Sequence, residues 1–142
     1  MARKKRNQFD VDEIYRGLRT NIEFSQMDDA IQVINVVSTI PNEGKSTVAC
    51  NLARIIQSYE GVQQVQYDGG YALSVITAGH RVPNPSEVLG SKRLAKFLNQ
   101  ARQEFGYIII DCPPMAVASD AIPLCNVSDG VLYVVDSKSS DK

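Results

Sequence analysis

Nearly continuous apolar runs alternate with segments of helical periodicity along this chain. The apolar runs lie at about residues 32–38, 105–111 and 130–136. Runs of this length are typical of parallel strands that are buried on both faces. Apolar residues spaced by three and four predict helices at about residues 10–25, 46–59 and 91–104. We therefore expect an α/β fold, with a mostly parallel sheet flanked by helices.

The first predicted helix carries both an apolar stripe and a charged face. Asp10 or Asp12 can cap its start, because short acidic side chains accept hydrogen bonds from first-turn N–H groups. Glu13, Arg16 and Arg19 recur every three residues and so lie along one broad face. On spacing alone, this face is either solvated or a charge-paired contact between subunits. The apolar stripe comprises Ile14, Leu18 and Ile22, with Tyr15 as a candidate member.

Two patterns fit the stretch between the second and third predicted helices. Val62–Tyr67 and Tyr71–Thr77 flank the turn residues 68–70 (Asp-Gly-Gly), as in a β-hairpin. Leu73–Thr77 alone also fits a core strand. Further along, Pro83–Ser86 predicts a loop and the start of a short helix.

Length and composition indicate the size and class of the protein. The chain has 142 residues, of which 44% are hydrophobic, and this suffices for one ordinary core. We expect a single domain over residues 10–142, preceded by a flexible basic tail at residues 1–9. Three cysteines without metal-type spacing favour a reduced, intracellular protein. No apolar stretch approaches the length of a membrane span.

The charge of the chain is nearly balanced overall but uneven locally. A net charge of −1 argues against a nucleic-acid binder. Residues 3–6 (Arg-Lys-Lys-Arg) concentrate positive charge near the N-terminus. This patch is either a solvated terminus or a segment attracted to an anionic membrane face. Any membrane contact is therefore expected to be peripheral, or to be made through a partner.

The loop at Ser38–Thr47 is the main candidate for chemistry. It ends in Gly-Lys-Ser-Thr, follows an apolar strand and leads into a helix, which is the context of a phosphate-binding P-loop. Backbone N–H groups of Asn42–Ser46 should surround phosphate oxygens, since the dipole of the following helix favours negative charge. Lys45 should reach the β- and γ-phosphates, and Ser46 should ligate Mg²⁺. Thr39 stands where the motif has its first glycine.

Asp111 is a candidate metal ligand because it ends the second apolar run. The carboxyl ends of parallel strands meet at one edge of a sheet, so this carboxylate is expected beside the loop. There it can hold a water molecule bound to Mg²⁺. Residues 112–114 (Cys-Pro-Pro) then end the strand, since proline cannot continue a sheet.

These separate motifs together resemble the bacterial tyrosine kinases of capsule and exopolysaccharide synthesis. Residues 13–19 are similar to the family's Glu-x-x-Arg-x-x-Arg oligomerisation helix, and residues 41–47 (Pro-Asn-Glu-Gly-Lys-Ser-Thr) to its Walker A motif. Residues 83–89 are similar to the family's linker before a helix, and residues 108–114 to its Walker B region. The fold of this family is akin to that of the deviant-Walker ATPases, so the resemblance implies a P-loop NTPase-type domain.

The resemblance implies a protein-tyrosine autokinase domain that uses ATP and Mg²⁺. Lys45 and Asp111 would then be catalytic, and Ser46 and Asp111 would hold the metal ion. The nucleotide-binding residues implied by the resemblance are Asn42, Glu43, Gly44, Lys45, Ser46 and Thr47.

The resemblance also implies protein partners. Glu13, Arg16 and Arg19 would join copies of the chain into a homo-oligomeric ring. A membrane-anchored polysaccharide copolymerase would support the activity. The protein would be cytoplasmic and peripheral to the inner face of the cell membrane through that partner, and nucleic acid is not an expected ligand.

Two departures from the family pattern qualify this expectation. The family has a second strand that ends in an Asp-x-Asp motif, called Walker A′, and nothing between Leu52 and Thr77 supplies one. Asp68 is the only aspartate in that stretch, and no apolar strand precedes it. The family also continues beyond the point that corresponds to Ser137 and has a tyrosine-rich tail, whereas this chain ends at Lys142. We therefore expect an incomplete domain, with an internal segment and the C-terminal part removed.

Two alternatives stand beside the kinase. The first is a catalytically impaired, nucleotide-binding or scaffolding remnant, because phosphoryl transfer depends on charge neutralisation that the missing carboxylates would support. The second is a positioning ATPase of the ParA/MinD-like type, which shares the loop. The charged helix at residues 13–19 and the Pro-Asn-Pro segment at residues 83–85 disfavour this second alternative.

Overall fold

The computed structural model describes residues 2–26, 28–59, 73–119 and 121–138. The elements, in chain order, are α1 (Ala2–Phe24), β1 (Val33–Ser38), α2 (Lys45–Tyr59), α3 (Pro85–Leu89), α4 (Lys92–Glu104), β2 (Ile108–Asp111), α5 (Ala121–Cys125) and β3 (Gly130–Val134). The chain divides into two compact units, the first at Met1–Asp29 with Cys50–Ala78 and the second at Ala30–Ala49 with Gly79–Lys142. The single domain predicted over residues 10–142 stays a prediction.

The described residues of the second unit form a parallel sheet of three strands in the order β2-β1-β3. Strand β1 pairs with both neighbours, so that Val33 lies opposite Ile108 and Ile34 lies opposite Gly130. All six residues of β1 are buried, as expected for a strand flanked on both sides, whereas β2 and β3 are partly exposed. The prediction of an α/β fold with a parallel sheet and helices is confirmed.

A buried apolar cluster holds the short helices of the second unit against the sheet. Its members come from strands, helices and the segments between them. They are Val37, Cys112, Ala121 and Leu124, with Leu89, Leu94, Ile110 and Val127 packed against them. Because Val37 is the penultimate residue of β1, this cluster supports the end of the strand from which the loop departs.

An ion pair holds the other end of β1. The Asp129 carboxylate accepts hydrogen bonds from the backbone N–H groups of Gln32 (2.9 Å) and Val33 (2.7 Å). Arg102, in the last turn of α4, donates to both oxygens of the same carboxylate, at 2.7 and 2.8 Å. The hydrogen bond from Arg102 is the main cause that lowers the pKa of Asp129 to about 2. The start of β1 is thus joined to α4 through one carboxylate.

Helix α1, in the first unit, begins earlier than predicted. Residues 2–9, predicted to be a flexible tail, are helical, so neither Asp10 nor Asp12 caps the helix. Arginine, lysine and glutamine make up most of this stretch, and their high helix propensities allow the helix to continue towards the N-terminus. Asp12 instead forms an ion pair with Arg54 of α2.

The segment after residue 72 is neither of the structures predicted for it. Residues 73–79 are exposed and form neither helix nor strand, so the core strand predicted at Leu73–Thr77 is wrong. Its apolar residues suit a strand, but they pair with no strand in the described sheet. The first half of the alternative hairpin and its turn lie outside the described residues.

The helices after this segment agree more closely with prediction. Helix α3 begins at Pro85 and has Glu87 in its first turn, and Ser91 caps α4 by accepting a hydrogen bond from the Leu94 N–H at 3.3 Å. Helix α4 lies close to the predicted range of residues 91–104, and its Leu98 is buried. Phe97 is 44% exposed, because it lies at the border of the stripe that Leu94 and Leu98 define.

The Arg102 and Asp129 pair predicts a loss of stability when either partner is removed. Arg102→Ala should lower the free energy of unfolding by about 2 kcal/mol, because it leaves a half-buried carboxylate without its charged donor. Arg93→Ala, which changes an exposed arginine on the same helix, should leave the stability within about 0.5 kcal/mol. Urea denaturation monitored by circular dichroism measures both values, and equal effects would contradict the role given to Arg102.

The same pair predicts a dependence on acid. The folded-state pKa of Asp129, about 2, lies below its usual value of 3.8, so its contribution is fully present above about pH 4 and is lost as the pH falls towards 2. The chain with Asp129→Asn should lack this part of the acid dependence. Urea denaturation at several pH values between 2 and 5 measures the free energy of unfolding of the parent and of Asp129→Asn. If the two free energies fell in parallel with pH, the role given to Asp129 would be contradicted.

Candidate nucleotide-binding site

Within the candidate loop, Ser38–Thr47, residues 39–44 connect the central strand β1 to helix α2. Strand β1 ends at Ser38, whose hydroxyl donates to the Ile40 carbonyl at 2.9 Å. Helix α2 begins at Lys45, one residue earlier than predicted, and the Val48 N–H donates to the Gly44 carbonyl at 2.9 Å. The first turn of a helix has N–H groups without an intrahelical partner, and its dipole favours an anion. The loop therefore ends at a position suited to phosphate.

Two residues of the loop take the left-handed backbone conformation. They are Asn42, with φ of 64°, and Gly44, with φ of 87°. Glycine adopts this conformation without steric cost, and asparagine tolerates it better than most other residues. Among the described non-glycine residues Asn42 alone does so, and Thr39 does not. The structure thus explains why threonine is tolerated at the position where the motif has its first glycine.

The Glu43 side chain faces the backbone of its own loop. One carboxylate oxygen, Oε2, accepts hydrogen bonds from the N–H groups of Thr39 (3.0 Å) and Ile40 (3.1 Å). The other, Oε1, accepts from the N–H of Asp136, just after β3, at 3.4 Å. The hydrogen bond from Ile40 is the largest of the causes that lower the pKa of Glu43. The carboxylate is therefore ionised at neutral pH.

Lys45 and Thr47 lie in the first turn of α2. The Lys45 side chain is buried, with 9% of the residue exposed, whereas Thr47 is exposed. A positive charge with so little access to water interacts strongly with a nearby anion. Lys45 is therefore the principal cation that the loop offers to a phosphate.

The structure brings Ser46 together with Asp111, which is 65 positions away in the chain. The Ser46 hydroxyl donates to the Asp111 Oδ2 atom at 2.5 Å. Asp111 is the last residue of β2, and β2 pairs directly with β1, so the strand order accounts for this proximity. A hydroxyl and a carboxylate are oxygen ligands of the kind that Mg²⁺ prefers. Within the described residues, no group of three or more acidic, cysteine or histidine side chains could hold a metal ion.

Cys112 follows Asp111 and is buried. Burial is the main cause that raises the pKa of its thiol to about 11, with a further contribution from the negative charge of Asp111. Its Sγ atom lies 3.6 Å from the Ile110 carbonyl oxygen. The thiol is therefore protonated at neutral pH and belongs to the apolar cluster rather than to the chemistry of the site.

Tyr133 contacts the loop although no motif indicates it. Its hydroxyl is hydrogen-bonded to that of Thr39. Tyr133 lies opposite Val37 in the pairing of β1 and β3, so its ring is beside the end of β1. Only the strand register could have indicated this contact, because Tyr133 lies in an ordinary apolar run.

The three charged residues predicted for oligomerisation lie on α1, in the first unit. Arg16 forms an exposed ion pair with Glu13 at 3.3 Å. Arg19 is 8% exposed and lies 3.3 Å from the carboxylate of Glu23. The three side chains therefore differ in their access to solvent, although the sequence places them on one broad face.

The parallel sheet, the strand–loop–helix and the carboxylate at the end of the neighbouring strand are the arrangement of an α/β domain of the P-loop type. No protein-family model matches the chain. The tyrosine-protein kinase YwqD of Bacillus subtilis is 31% identical over 166 residues, which cover 92% of this chain and 70% of the relative. The tyrosine-protein kinase CpsD of Streptococcus pneumoniae serotype 4 is 27% identical, and the match covers 93% of this chain and 74% of CpsD. The chain belongs to the bacterial tyrosine kinase family.

Solved structures agree with this assignment. The chimerical protein CapA2B2 has a TM-score of 0.74 at 27% identity, covering 91% of this chain and 73% of that one. The kinase domain of the Escherichia coli tyrosine kinase ETK has a TM-score of 0.75 at 25% identity, and the match covers 87% of this chain and 63% of that structure. Kinases transfer a phosphoryl group from ATP, so membership of this family implies the use of ATP.

The match to YwqD also bears on the predicted internal deletion. The aligned region spans 166 residues, whereas this whole chain has 142, so the relative contains residues without a counterpart here. This agrees with the expectation of a missing segment. Separately, no helix among the described residues is both long and apolar enough to cross a membrane.

Cys112 gives a chemical test of the site's surroundings. With a pKa of about 11, less than about one thiol in a thousand is ionised at pH 7.5. Alkylation by iodoacetamide, followed by mass spectrometry, should therefore modify the exposed Cys50 and Cys125 far faster than Cys112. In urea all three should react alike, and equal rates in the folded protein would contradict the burial of Cys112.

Proposed function

We propose that this chain is a protein-tyrosine kinase domain that binds ATP and Mg²⁺ at the loop Ser38–Thr47. The observation that carries this proposal is the hydrogen bond between Ser46 and Asp111, at 2.5 Å, beside a helix that begins at Lys45. A hydroxyl, a carboxylate and a cation are groups that phosphoryl transfer from a nucleotide uses. Membership of the bacterial tyrosine kinase family supports the same function.

Each residue of the loop then has a definable role. The backbone N–H groups of Asn42–Ser46 surround the phosphates, and the Lys45 ammonium neutralises charge on the β- and γ-phosphate oxygens. Ser46 and Asp111 hold Mg²⁺, which when bound neutralises further charge on the phosphates. Thr47 lies next to these groups in the same helical turn. Catalysis by such a site is a matter of positioning and electrostatics, to which Lys45 and Asp111 contribute most directly.

Nucleotide binding without phosphoryl transfer is the alternative function. The reason to consider it is the Walker A′ motif, which is expected to be missing; the longer aligned region of YwqD agrees with a missing segment. The described residues offer Asp111 at the site but no cluster of further carboxylates. A site of this kind would bind ATP better than it turns it over, since fewer groups would orient the attacking hydroxyl.

We further propose that the protein works at the inner face of the cell membrane with a membrane-anchored polysaccharide copolymerase, and that copies of it form a ring. This rests on the resemblance of residues 13–19 to the oligomerisation helix of the family. The exposed Glu13 and Arg16 are accessible for charged contacts with another subunit.

Lys45→Ala tests nucleotide binding and transfer together. The parent chain should bind a fluorescent ATP analogue in the presence of Mg²⁺ and acquire phosphotyrosine on incubation with Mg-ATP. Lys45→Ala should weaken binding about 100-fold, because it removes a buried charge from the phosphates, and should abolish phosphotyrosine. Lys96→Ala, on the exposed side of α4, is the control and should behave as the parent.

The outcomes separate the two functions. Binding that depends on Lys45, without phosphotyrosine on the parent chain, supports the binding-only alternative. Equal affinity of the parent and of Lys45→Ala would refute the placement of the nucleotide at this loop.

Arg16→Ala combined with Arg19→Ala tests the proposed ring. The double variant should shift any oligomer to smaller species in sedimentation velocity, because it removes two of the three charges proposed for the subunit contact. A chain with Arg81→Ala and Arg93→Ala, which changes two exposed arginines elsewhere, should sediment as the parent. A monomeric parent at every concentration would remove the basis of the ring.

A further inference from the structure

The Glu43 carboxylate joins backbone donors from two distant parts of the chain. Two of them, the N–H groups of Thr39 and Ile40, open the loop, and both donate to Oε2. The third, the N–H of Asp136, follows β3 and donates to Oε1. One side chain thus fastens the start of the loop to the segment after the neighbouring strand.

The negative charge of Glu43 suits it to this task better than to direct contact with a nucleotide. Phosphate oxygens and a carboxylate repel each other, whereas N–H groups and a carboxylate form charge-assisted hydrogen bonds. These hydrogen bonds lower the pKa of Glu43, so the carboxylate stays ionised under the conditions in which ATP binds. A neutral amide in its place would offer an acceptor at only one of its two terminal atoms.

The position of Glu43 within the loop connects these contacts to phosphate binding. It lies between Asn42 and Gly44, the two loop residues with positive φ. Turns in which the sign of φ changes direct successive N–H groups towards one point and form concave anion sites. Fixing the side chain of the residue between them restrains the peptide groups on either side. The N–H groups of the loop are then already directed towards the phosphate position before a ligand binds.

A second contact joins the same strand to the same loop. The Tyr133 hydroxyl of β3 is hydrogen-bonded to the hydroxyl of Thr39, whose N–H is bound by Glu43. Thr39, at the start of the loop, is therefore hydrogen-bonded to Tyr133 of β3 and to Glu43 of the loop itself. Both contacts lie in the second unit.

We infer that Glu43 is a positioning residue, which holds the phosphate-binding loop in its receptive conformation by joining Thr39 and Ile40 to the segment just after β3. This inference rests on the proposed binding of ATP at the loop. It assigns to the Glu43 side chain a role in shaping the loop instead of a direct contact with the nucleotide.

Glu43→Gln tests the inference, with Glu87→Gln as the matched control because Glu87 is an exposed glutamate on α3. Glu43→Gln should weaken binding of the fluorescent ATP analogue about tenfold, since charge-assisted hydrogen bonds to the loop are lost. In nuclear magnetic resonance spectra of the unliganded, ¹⁵N-labelled chain, the amide protons of Thr39 and Ile40 should move upfield. The urea midpoint should stay close to that of the parent, and Glu87→Gln should change none of these values.

Each result decides between the possibilities. Weaker binding with the two amide shifts and an unchanged urea midpoint supports the inference. Unchanged affinity in Glu43→Gln, with a parent chain that binds the analogue, overturns it, as do unchanged amide resonances of Thr39 and Ile40. If the parent does not bind the analogue, the proposed function fails, and the amide resonances alone decide whether Glu43 holds the loop.

Discussion

The pairing of β1 with a parallel neighbour on each side is the constraint on which the candidate site depends. Because all three strands run in the same direction, their carboxyl ends meet at one edge of the sheet. That edge receives the loop from β1, Asp111 from β2 and the N–H of Asp136 from the segment after β3. At the opposite edge, Asp129 holds the first residues of β1. A change that disturbed this pairing would therefore disturb the core and the site together.

The secondary structure of the second unit could be predicted well because burial leaves a clear mark on the sequence. A continuous apolar run indicates a strand covered on both faces, and β1 fits that pattern at every position. The same reasoning failed for Leu73–Thr77, where apolar residues have no partner strand among the described residues. The start of α1 was predicted too late for a different reason. Asp10 and Asp12 are residue types that cap helices, but they lie inside a helix whose earlier residues have high helix propensity.

The site could be predicted only as far as its motif and its strand ends define it. The meeting of Ser46 and Asp111 follows from a strand–loop–helix and a neighbouring strand that ends in a carboxylate. The direction of the Glu43 side chain does not follow from the motif, because it depends on which N–H groups the folded loop leaves within reach. The contact of Tyr133 with Thr39 depends on the register of β3 against β1, and no local pattern encodes that register.

The backbone of Asn42 has a consequence for the entropy of the loop. A glycine at this position would reach φ near 64° at no steric cost, but it would also visit many other conformations. Asparagine has fewer conformations available in the unfolded chain, and its left-handed conformation costs on the order of 1 kcal/mol in the folded one. A loop that contains asparagine there loses less freedom when a ligand binds. Asn42 thus moves part of the ordering cost from the binding step to the folding step.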